Sequence, residues 1–300
     1  MIYFIISKSF IYFKVKPMNL DFVCIGGTKC GTTWLSQMLT ANPEINVSVN
    51  KEPCYFSGNY HKGAKWYAKN WAKKAGKKGE FTAHYLYNKQ AINRLKDDYP
   101  DVKIIVLLRE PISRSISHYQ MISRGKKFND NALLKDLDTD IFDRSEYYSS
   151  LTFLFKVFPM EQILVEYYDS IIKNPKKLLE KIYRFLELES IIFPKNINQW
   201  YGKAHNPQFI ILYKPIQLIH DYLSKKQSYK LIFWIKKMKL PNLYKWLVPK
   251  RKVINKNHVA LIKGQKKRLY SDLNKIASVE LDFNKSVIKK WLSLDSDIGK

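Results

Sequence analysis

One turn of the sequence carries residue types that bind anions: Gly26-Gly27-Thr28-Lys29-Cys30-Gly31-Thr32-Thr33-Trp34. It lies between a short apolar run and a helix-like pattern, so the backbone N–H groups of the turn and the positive end of the helix dipole face the same place. Lys29 adds a positive charge, and Thr32 and Thr33 add hydroxyl donors. We therefore expect a phosphate-type ligand; an ordinary glycine-rich turn with an exposed lysine is the alternative.

The spacing within this turn excludes two familiar nucleotide motifs. In the P-loop of NTPases the lysine follows the second glycine and precedes a Ser or Thr that holds magnesium, whereas Lys29 comes two positions before Gly31. The dinucleotide fingerprint GxGxxG does not fit either. Since no acidic pair suggests a magnesium site, we expect that no metal is required.

A second group of polar residues follows the apolar segment 102–108 and runs Arg109-Glu110-Pro111-Ile112-Ser113-Arg114-Ser115-Ile116-Ser117-His118-Tyr119. Arg109 ends a predicted buried strand, and Ser117 lies about two turns into the helix that follows. The guanidinium fork and the hydroxyl can meet on one phosphate. The alternative is that Arg109 pairs with Glu110 or caps a neighbouring helix.

Alternating strand and helix patterns position these two groups. Predicted strands are Asp21–Gly26, Glu80–Ala83, Val102–Leu108 and Gln162–Tyr167. Predicted helices are Thr32–Thr40, Lys62–Ala75, Asn88–Asp98, Pro111–Arg124 with Gly125 as its C-cap, Tyr147–Phe158 and Pro175–Leu188. Repeated βα units indicate an α/β fold with a mostly parallel sheet between helices. Ligands of such folds bind beyond the carboxyl ends of the strands, where both polar groups lie.

The composition excludes several classes of protein. With 300 residues, of which 46% are hydrophobic and 14% aromatic, the chain is neither disordered, collagen-like nor a disulfide miniprotein. The net charge of +26 favours an anionic partner: nucleic acid, a membrane surface, a polyanion or a phosphate-rich cofactor. A lysine excess of this kind can also simply solvate the surface.

Part of this charge is concentrated in residues 201–268, which have 17 basic residues against the single acid Asp221, a net +16. Apolar stretches alternate there with Lys-Lys pairs and prolines, so we predict a helical insert that faces the substrate. We expect the segment to meet an acidic acceptor or an anionic surface, and high salt to weaken acceptor binding more than cofactor binding.

The cysteines and the N-terminus bear on location. Cys24, Cys30 and Cys54 suit neither a disulfide framework nor a zinc site, so we expect a reducing, cytoplasmic compartment; contact with the periphery of a membrane is left open. Residues 1–19 contain an apolar run too short to span a bilayer and lack the features of a signal peptide. An extra strand, an interfacial anchor and a misplaced start codon are all compatible with them.

Four motifs, in this order and at about this spacing, resemble the sulfotransferases that use 3′-phosphoadenosine 5′-phosphosulfate (PAPS), above all the carbohydrate (heparan-sulfate-like) and bacterial branch. They are the turn Gly26–Trp34, Lys51-Glu52-Pro53-Cys54-Tyr55-Phe56, Gly79-Glu80-Phe81-Thr82, and the block from Arg109 to Tyr119. The segments 60–67 and 158–165 add to the resemblance, which extends from Asp21 to Leu188. It implies a P-loop-like three-layer fold.

The resemblance also implies roles for individual residues. Lys29, Gly31, Thr32 and Thr33 would hold the 5′-phosphosulfate, with the neighbouring Gly27, Thr28, Cys30 and Trp34 in the same turn, while Arg109 and Ser117 would hold the 3′-phosphate. Glu52 would be the general base. His84 is the rival base, because the small-molecule branch of the family uses a histidine in this block. The segment 202–205 weakly resembles a basic segment that closes over the cofactor, which makes Lys203 a further candidate.

Two departures from the family pattern concern the acceptor. Cys54 stands where related enzymes often have histidine, and Phe81 stands where glycosaminoglycan 3-O-sulfating relatives carry lysine. They argue against a heparan-type acceptor more than against sulfuryl transfer.

We therefore predict a PAPS-dependent sulfotransferase that acts on a hydroxyl or amine of a saccharide, glycolipid or small molecule, with nucleic acid not expected as a partner. The predicted layout is an extension at 1–19 and one domain at 20–300, made of an α/β core at 20–200, the basic insert 201–268 and a C-terminal helix at 269–300. The alternatives are a nucleotide kinase or NTPase, and a non-enzymatic binder of membranes or nucleic acid.

Overall fold

The fold is seen in a computed structural model, which describes residues 18–72, 74–122, 139–199, 256–279, 283 and 285–293. Several predictions lie outside these ranges: the N-terminal run of residues 1–17, the C-cap Gly125, most of the basic insert 201–268, and Lys203.

The centre of the molecule is a sheet of five strands, all parallel, in the order β2-β3-β1-β4-β5. The strands are β1 (Phe22–Gly26), β2 (Ile45–Val47), β3 (Lys77–Phe81), β4 (Lys103–Leu108) and β5 (Ile163–Tyr167). In register, Phe22 of β1 is opposite Gly79 of β3 on one side and Lys103 of β4 on the other. Because all strands are parallel, their carboxyl ends form one edge of the sheet.

Helices connect and cover the strands. In the described ranges they are α1 (Thr32–Thr40), α2 (Gly63–Ala68), α3 (Lys89–Asp98), α4 (Pro111–Ile122), α5 (Thr139–Asp143), α6 (Tyr148–Val157), α7 (Tyr168–Lys173), α8 (Pro175–Phe185), α9 (Lys256–Gly264), α10 (Lys266–Ser278) and α11 (Ser286–Ser293). Short 3₁₀ turns occur at Tyr60–Lys62, Tyr85–Tyr87 and Met160–Gln162.

The sheet lies between two hydrophobic layers. On one face, Ile105 and Leu107 of β4 pack with side chains of α1 and α8. On the other face, Ile104 and Val106 pack with α3, α6 and the C-terminal helices α10 and α11. The alternation within β4 is what a strand buried on both faces requires. The α/β fold with a parallel sheet between helices is thus confirmed.

The predicted helix Lys62–Ala75 is wrong in its second half, because α2 ends at Ala68. Beyond it, the amide of the buried Asn46 donates to the carbonyls of Ala72 (3.2 Å) and Lys74 (2.7 Å). These bonds tie the segment to β2, so tertiary contacts override its helical pattern.

Two strand predictions are also corrected. The short edge strand β2 was missed, and β3 begins at Lys77 and ends at Phe81 rather than running from Glu80 to Ala83. Gly79 lies within β3 because its neighbour on β1 is the ring of Phe22, which a Cβ atom at this position would overlap. A glycine inside a strand here marks a close approach.

Candidate functional site

The predicted site residues gather at the carboxyl edge of the sheet. The turn before α1 follows β1, the loop with His84 follows β3, and Arg109 follows β4. Tyr168 follows β5 in the same way. Glu52 comes from the loop after β2, and its backbone N–H donates to the carbonyl of Phe81 at the end of β3 (2.9 Å).

The turn after β1 is held in a curved conformation. Gly27 N–H donates to the carbonyl of Leu107 (2.5 Å), and Cys30 N–H donates to the carbonyl of Gly27 (3.2 Å). Lys29 and Gly31 have positive φ angles of 69° and 97°. A Cβ atom at Gly31 would overlap Cδ1 of Ile171 in α7, the movable end of that side chain, so the positive φ angle is the main reason for glycine there.

The start of α1 is open to an anion. No side chain of the described residues caps this helix, and no acidic residue lies in its first turn. Thr28 Oγ1 is buried and has no hydrogen-bond partner among the residues the structure describes. Thr32, which is buried, and Thr33, which is half-buried, are the first two residues of this helix. Uncapped N–H groups with nearby hydroxyls are suited to phosphate or sulfate oxygens.

The side chains of Trp34 and Cys30, which the sequence placed in the same anion-binding turn, contact other parts of the protein. The indole Nε1 of Trp34 donates to the carbonyl of Ile197 (2.9 Å) and the side chain is buried. The Cys30 thiol lies 4.0 Å from the hydroxyl of Tyr147, and burial raises its pKa to about 11. The thiol is therefore protonated at neutral pH and unsuited to act as a nucleophile.

Arg109 joins β4 to the turn. Its Nη1 donates to the backbone carbonyl of Lys29 (3.3 Å), and its guanidinium lies over the ring of Tyr168, 4.2 Å from the centroid. Glu110 does not pair with it: the Glu110 carboxylate instead accepts the N–H groups of Ile112 (2.8 Å) and Ser113 (2.7 Å) and so caps α4. The ion pair that the sequence left open as an alternative is not formed.

Ser117 lies on α4 and is half-buried. Three residues before it, Arg114 is completely buried. Arg114 donates to Ser145 Oγ (2.5 Å) and to the carbonyl of Ile141. Burial, helped by the charges of Arg114 and Arg144, lowers the pKa of His118 to about 4. The neighbourhood of Ser117 is therefore positive without a protonated histidine.

Glu52 is the more exposed of the two base candidates. Its side chain is 40% exposed, its Oε1 accepts a hydrogen bond from Lys51 Nζ (2.8 Å), and its φ angle is 64°. This left-handed conformation is uncommon for a non-glycine residue and is frequent at functional sites.

His84 is half-buried, and its Nε2 is 2.8 Å from Ser57 Oγ. Burial lowers the pKa of His84, and the charge of Arg144 adds to this, whereas the charge of Glu52 opposes it. His84 is therefore neutral at physiological pH and can accept a proton. Glu52 and His84 influence each other electrostatically, so the structure brings both candidates to one region.

Sequence reasoning missed Glu80, whose side chain is completely buried in β3. It accepts hydrogen bonds from Tyr67 and from Thr82 Oγ1 (2.5 Å). Burial raises the pKa of Glu80 to about 6, and the nearby charge of Glu52 adds to this. The motif 79–82 was the available signal, although a charged residue in a strand gives no sign that it is buried.

Tyr147, Tyr168 and Arg144 were also missed. The Tyr168 ring contacts Arg109 and lies 3.2 Å from the position that a Cβ atom at Gly31 would take. The charge of Arg144 acts on both His84 and His118. All three come from elements distant in sequence, and no local pattern could have identified them. Lys203 lies outside the described residues.

Similar proteins were found at the level of sequence. The chain is 35% identical over 114 residues to the membrane-associated sulfotransferase kil1 of Dictyostelium discoideum, covering 36% of this chain and 24% of that protein. It is 29% identical over 188 residues to heparan sulfate glucosamine 3-O-sulfotransferase 3B1 of Mus musculus, covering 58% of this chain and 47% of that protein. The chain spans less than half the length of these two relatives.

Similarity is also found at the level of structure and family. The sulfotransferase from Alicyclobacillus acidocaldarius superposes with a TM-score of 0.54 at 21% identity, covering 62% of this chain and 87% of that one, which supports the fold. Residues 20–207 match the family described as the sulfotransferase domain. Because that match covers more than half of the chain, the chain belongs to the sulfotransferase domain family.

Proposed function

We propose that this protein transfers a sulfuryl group from PAPS to a hydroxyl or amine of a saccharide or glycoconjugate. The observation that carries the proposal is the direct contact of the two anion-binding elements, through the hydrogen bond from Arg109 to the carbonyl of Lys29. One bisphosphorylated ligand can be held by both elements only if they are adjacent.

The residues of the turn fit such a ligand. Within the described part of the chain, the start of α1 has no side-chain cap and the Thr28 hydroxyl has no hydrogen-bond partner. Both leave donors for a 5′-phosphosulfate, which Lys29, Thr32 and Thr33 would hold together with the N–H groups. Arg109 and Ser117 would hold the 3′-phosphate, the first as a planar fork and the second as a single donor. Lys203 is a further candidate on the basis of sequence alone.

When bound, PAPS would supply the activated sulfuryl group. Lys29 and the turn N–H groups would stabilise the negative charge that develops on the phosphate oxygen from which the sulfuryl group departs. This positive charge comes from the protein itself, so we propose that no metal is required.

Glu52 is the proposed general base and would take the proton of the acceptor hydroxyl on its carboxylate. A correctly placed base contributes roughly 10²–10⁴-fold to the rate. His84, neutral and bonded to Ser57, is the alternative base. Both candidates lie on the β3 side of the turn, whereas Arg109 lies on the β4 side. Proton transfer and binding of the 3′-phosphate would therefore take place on opposite sides of the turn.

A saccharide is the first choice of acceptor, because relatives named as heparan sulfate glucosamine 3-O-sulfotransferases match 58% of the chain. Phe81 argues against an identical acceptor. Its side chain is completely buried and packs edge-on against Phe22, so the position offers no charge to the site. Burial raises the pKa of the Cys54 thiol to about 12, so Cys54 does not replace a titrating histidine.

We also propose one catalytic domain at 20–300 with a basic insert at 201–268 that meets the acceptor. The predicted C-terminal helix 269–300 is corrected to two helices within the described ranges, α10 (Lys266–Ser278) and α11 (Ser286–Ser293). No helix within the described ranges is both long and apolar enough to cross a bilayer.

Calorimetry with 3′-phosphoadenosine 5′-phosphate (PAP) tests the proposal. We expect PAP to bind in the presence of EDTA and ATP to compete poorly with it. In a second assay, we expect radiolabelled sulfate to pass from PAPS to a member of a saccharide panel. Tight binding of ATP with magnesium in place of PAP would instead support the kinase alternative, and binding of neither nucleotide would support a non-enzymatic binder.

A further inference from the structure

Tyr147, the residue just before α6, lies beneath both anion-binding elements. Its side chain is completely buried, and its hydroxyl donates to the backbone carbonyl of Arg109 (2.7 Å). The same hydroxyl is 4.0 Å from the thiol of Cys30 in the turn after β1. Burial raises the pKa of Tyr147 well above its ordinary value, so the phenol stays protonated and remains a donor.

Tyr147 is itself held by a carboxylate from a distant part of the chain. Asp272 Oδ2 accepts the backbone N–H groups of Tyr147 (2.7 Å) and Tyr148 (3.1 Å). These N–H groups open α6 and have no partner within the helix, so Asp272 caps it from outside. Asp272 lies on α10, beyond the residues 20–207 that match the family.

Two further residues of α10, Arg268 and Tyr270, contact neighbouring elements. Arg268 pairs with Asp143 (2.7 Å) and Glu146 (2.5 Å), in the segment that leads to Tyr147. Tyr270 places its hydroxyl 3.3 Å from Glu110 Oε1, next to Arg109 in the chain. The exposed ion pairs contribute little stability individually. Together with the Tyr270 contact, they connect α10 to the end of α5 and to the residues that precede α4 and α6.

We propose that Tyr147 is a positioning residue for Arg109 and that Asp272 sets the position of Tyr147, so that helix α10 completes the 3′-phosphate half of the donor site. The proposal rests on the proposed function. The Tyr147 hydroxyl fixes the backbone from which the Arg109 side chain extends, so the guanidinium meets the phosphate in one orientation rather than several.

The test compares PAP with adenosine 5′-phosphate (AMP), which lacks the 3′-phosphate, by calorimetry on the full chain. We expect Tyr147→Phe to weaken PAP binding by about three- to tenfold, the loss of one neutral hydrogen bond, and to leave AMP binding unchanged. Tyr183→Phe is the matched control, because it also removes the hydroxyl of a buried tyrosine, one that donates to the carbonyl of Ile192 (2.8 Å) rather than to Arg109. The ratio of PAP affinity to AMP affinity should be the same in this variant as in the wild type.

Variants of Asp272 test the second contact. Asp272→Ala should lower the same ratio, and Asp272→Asn, which keeps an oxygen acceptor, should restore most of it. In an Arg109→Ala background, Tyr147→Phe should have no further effect on the ratio, because Tyr147 would act on the 3′-phosphate only through the Arg109 side chain, which is then absent.

The outcomes separate this proposal from the one it rests on. If the wild type binds neither PAP nor AMP, the proposed function fails and the positioning role fails with it. If the wild type prefers PAP and Tyr147→Phe weakens both nucleotides equally, or neither, only the positioning role is wrong. Tyr147→Phe removes a single oxygen atom, so it decides the matter even if Asp272→Ala does not fold.

Discussion

The guanidinium of Arg109 and the backbone of Lys29 are in direct contact, through the hydrogen bond from Nη1 to the Lys29 carbonyl at 3.3 Å. The two residues are 80 positions apart in the chain and follow neighbouring strands, β4 and β1. A guanidinium bonded to the turn is restrained before any ligand arrives, so less side-chain entropy is lost on binding.

Arg109→Lys is expected to weaken PAP binding by roughly 10- to 150-fold, which corresponds to about 1.5–3 kcal/mol for a charge-assisted contact. Lysine keeps the charge but loses the planar fork and the stacking on Tyr168. Calorimetry measures the change, and Arg184→Lys on the exposed side of α8 is the control. Equal affinities of Arg109→Lys and the wild type would show that charge alone suffices.

Glu52→Gln is expected to lower kcat by about 10²–10⁴-fold while PAP binds as before. His84→Gln should have a much smaller effect. Glu161→Gln, in an exposed 3₁₀ turn, controls for the loss of one surface charge. The base assignment reverses if His84→Gln is inactive and Glu52→Gln retains activity.

Glu80 gives the stability a pH dependence of defined sign. Its pKa rises from 4.5 to about 6 on burial, so the folded state binds more protons than the unfolded state within that window. The stability it contributes is therefore complete below pH 4.5 and falls as the pH rises to 6, by about 2 kcal/mol in total. Glu80→Gln should remove this fall, as measured by urea unfolding at several pH values; an unchanged difference between the two proteins across the window would contradict the prediction.

Gly31→Ala should disturb the turn without affecting the rest of the fold. A φ angle of 97° is strained for alanine by about 1–2 kcal/mol, and the new Cβ would meet Ile171 and Tyr168. We expect a lower melting temperature and at least a tenfold loss of PAP affinity. Gly58→Ala is the matched control, since no described residue lies within 4 Å of a Cβ there. Similar losses in both variants would mean that the conformation of Gly31 is not needed for PAP binding.

Salt should distinguish the acceptor from the donor. The sequence of residues 201–268 has a net charge of +16, and attraction by an extended charge is screened more strongly than contacts in an enclosed site. We expect KM for a saccharide acceptor to rise more steeply with salt than Kd for PAP. Parallel salt dependences would remove any role of this segment in acceptor binding.

Local patterns were sufficient to predict much of the fold. β1, β4 and β5 were predicted because buried parallel strands are continuous apolar runs, and α1 begins at Thr32 and ends at Thr40 as its pattern indicates. The short strand β2 was missed, since three residues with Asn46 in the middle show no strand pattern. Its conformation depends on pairing with β3, which only the folded chain provides.

Some residues of the candidate site could likewise be predicted from local sequence patterns, and others could not. The turn and Arg109 could be found because glycines and a charge at a strand end are visible locally. Glu80 and Arg114 could not, because a charged residue gives no indication in sequence that it is completely buried and satisfied by hydroxyls and carbonyls. The contact of Asp272 with Tyr147 joins residues 125 positions apart and depends on the packing of α10.

The central position of β1 has a consequence for how such a protein can diversify. Glu52 and His84 reach the turn from the β2 and β3 side, whereas Arg109 and Tyr168 reach it from the β4 and β5 side. The two groups of residues therefore approach the turn from opposite sides of β1. On the proposed assignment, substitutions in the loops after β2 and β3 would alter the acceptor side of the site and leave the proposed nucleotide-binding residue Arg109 in place.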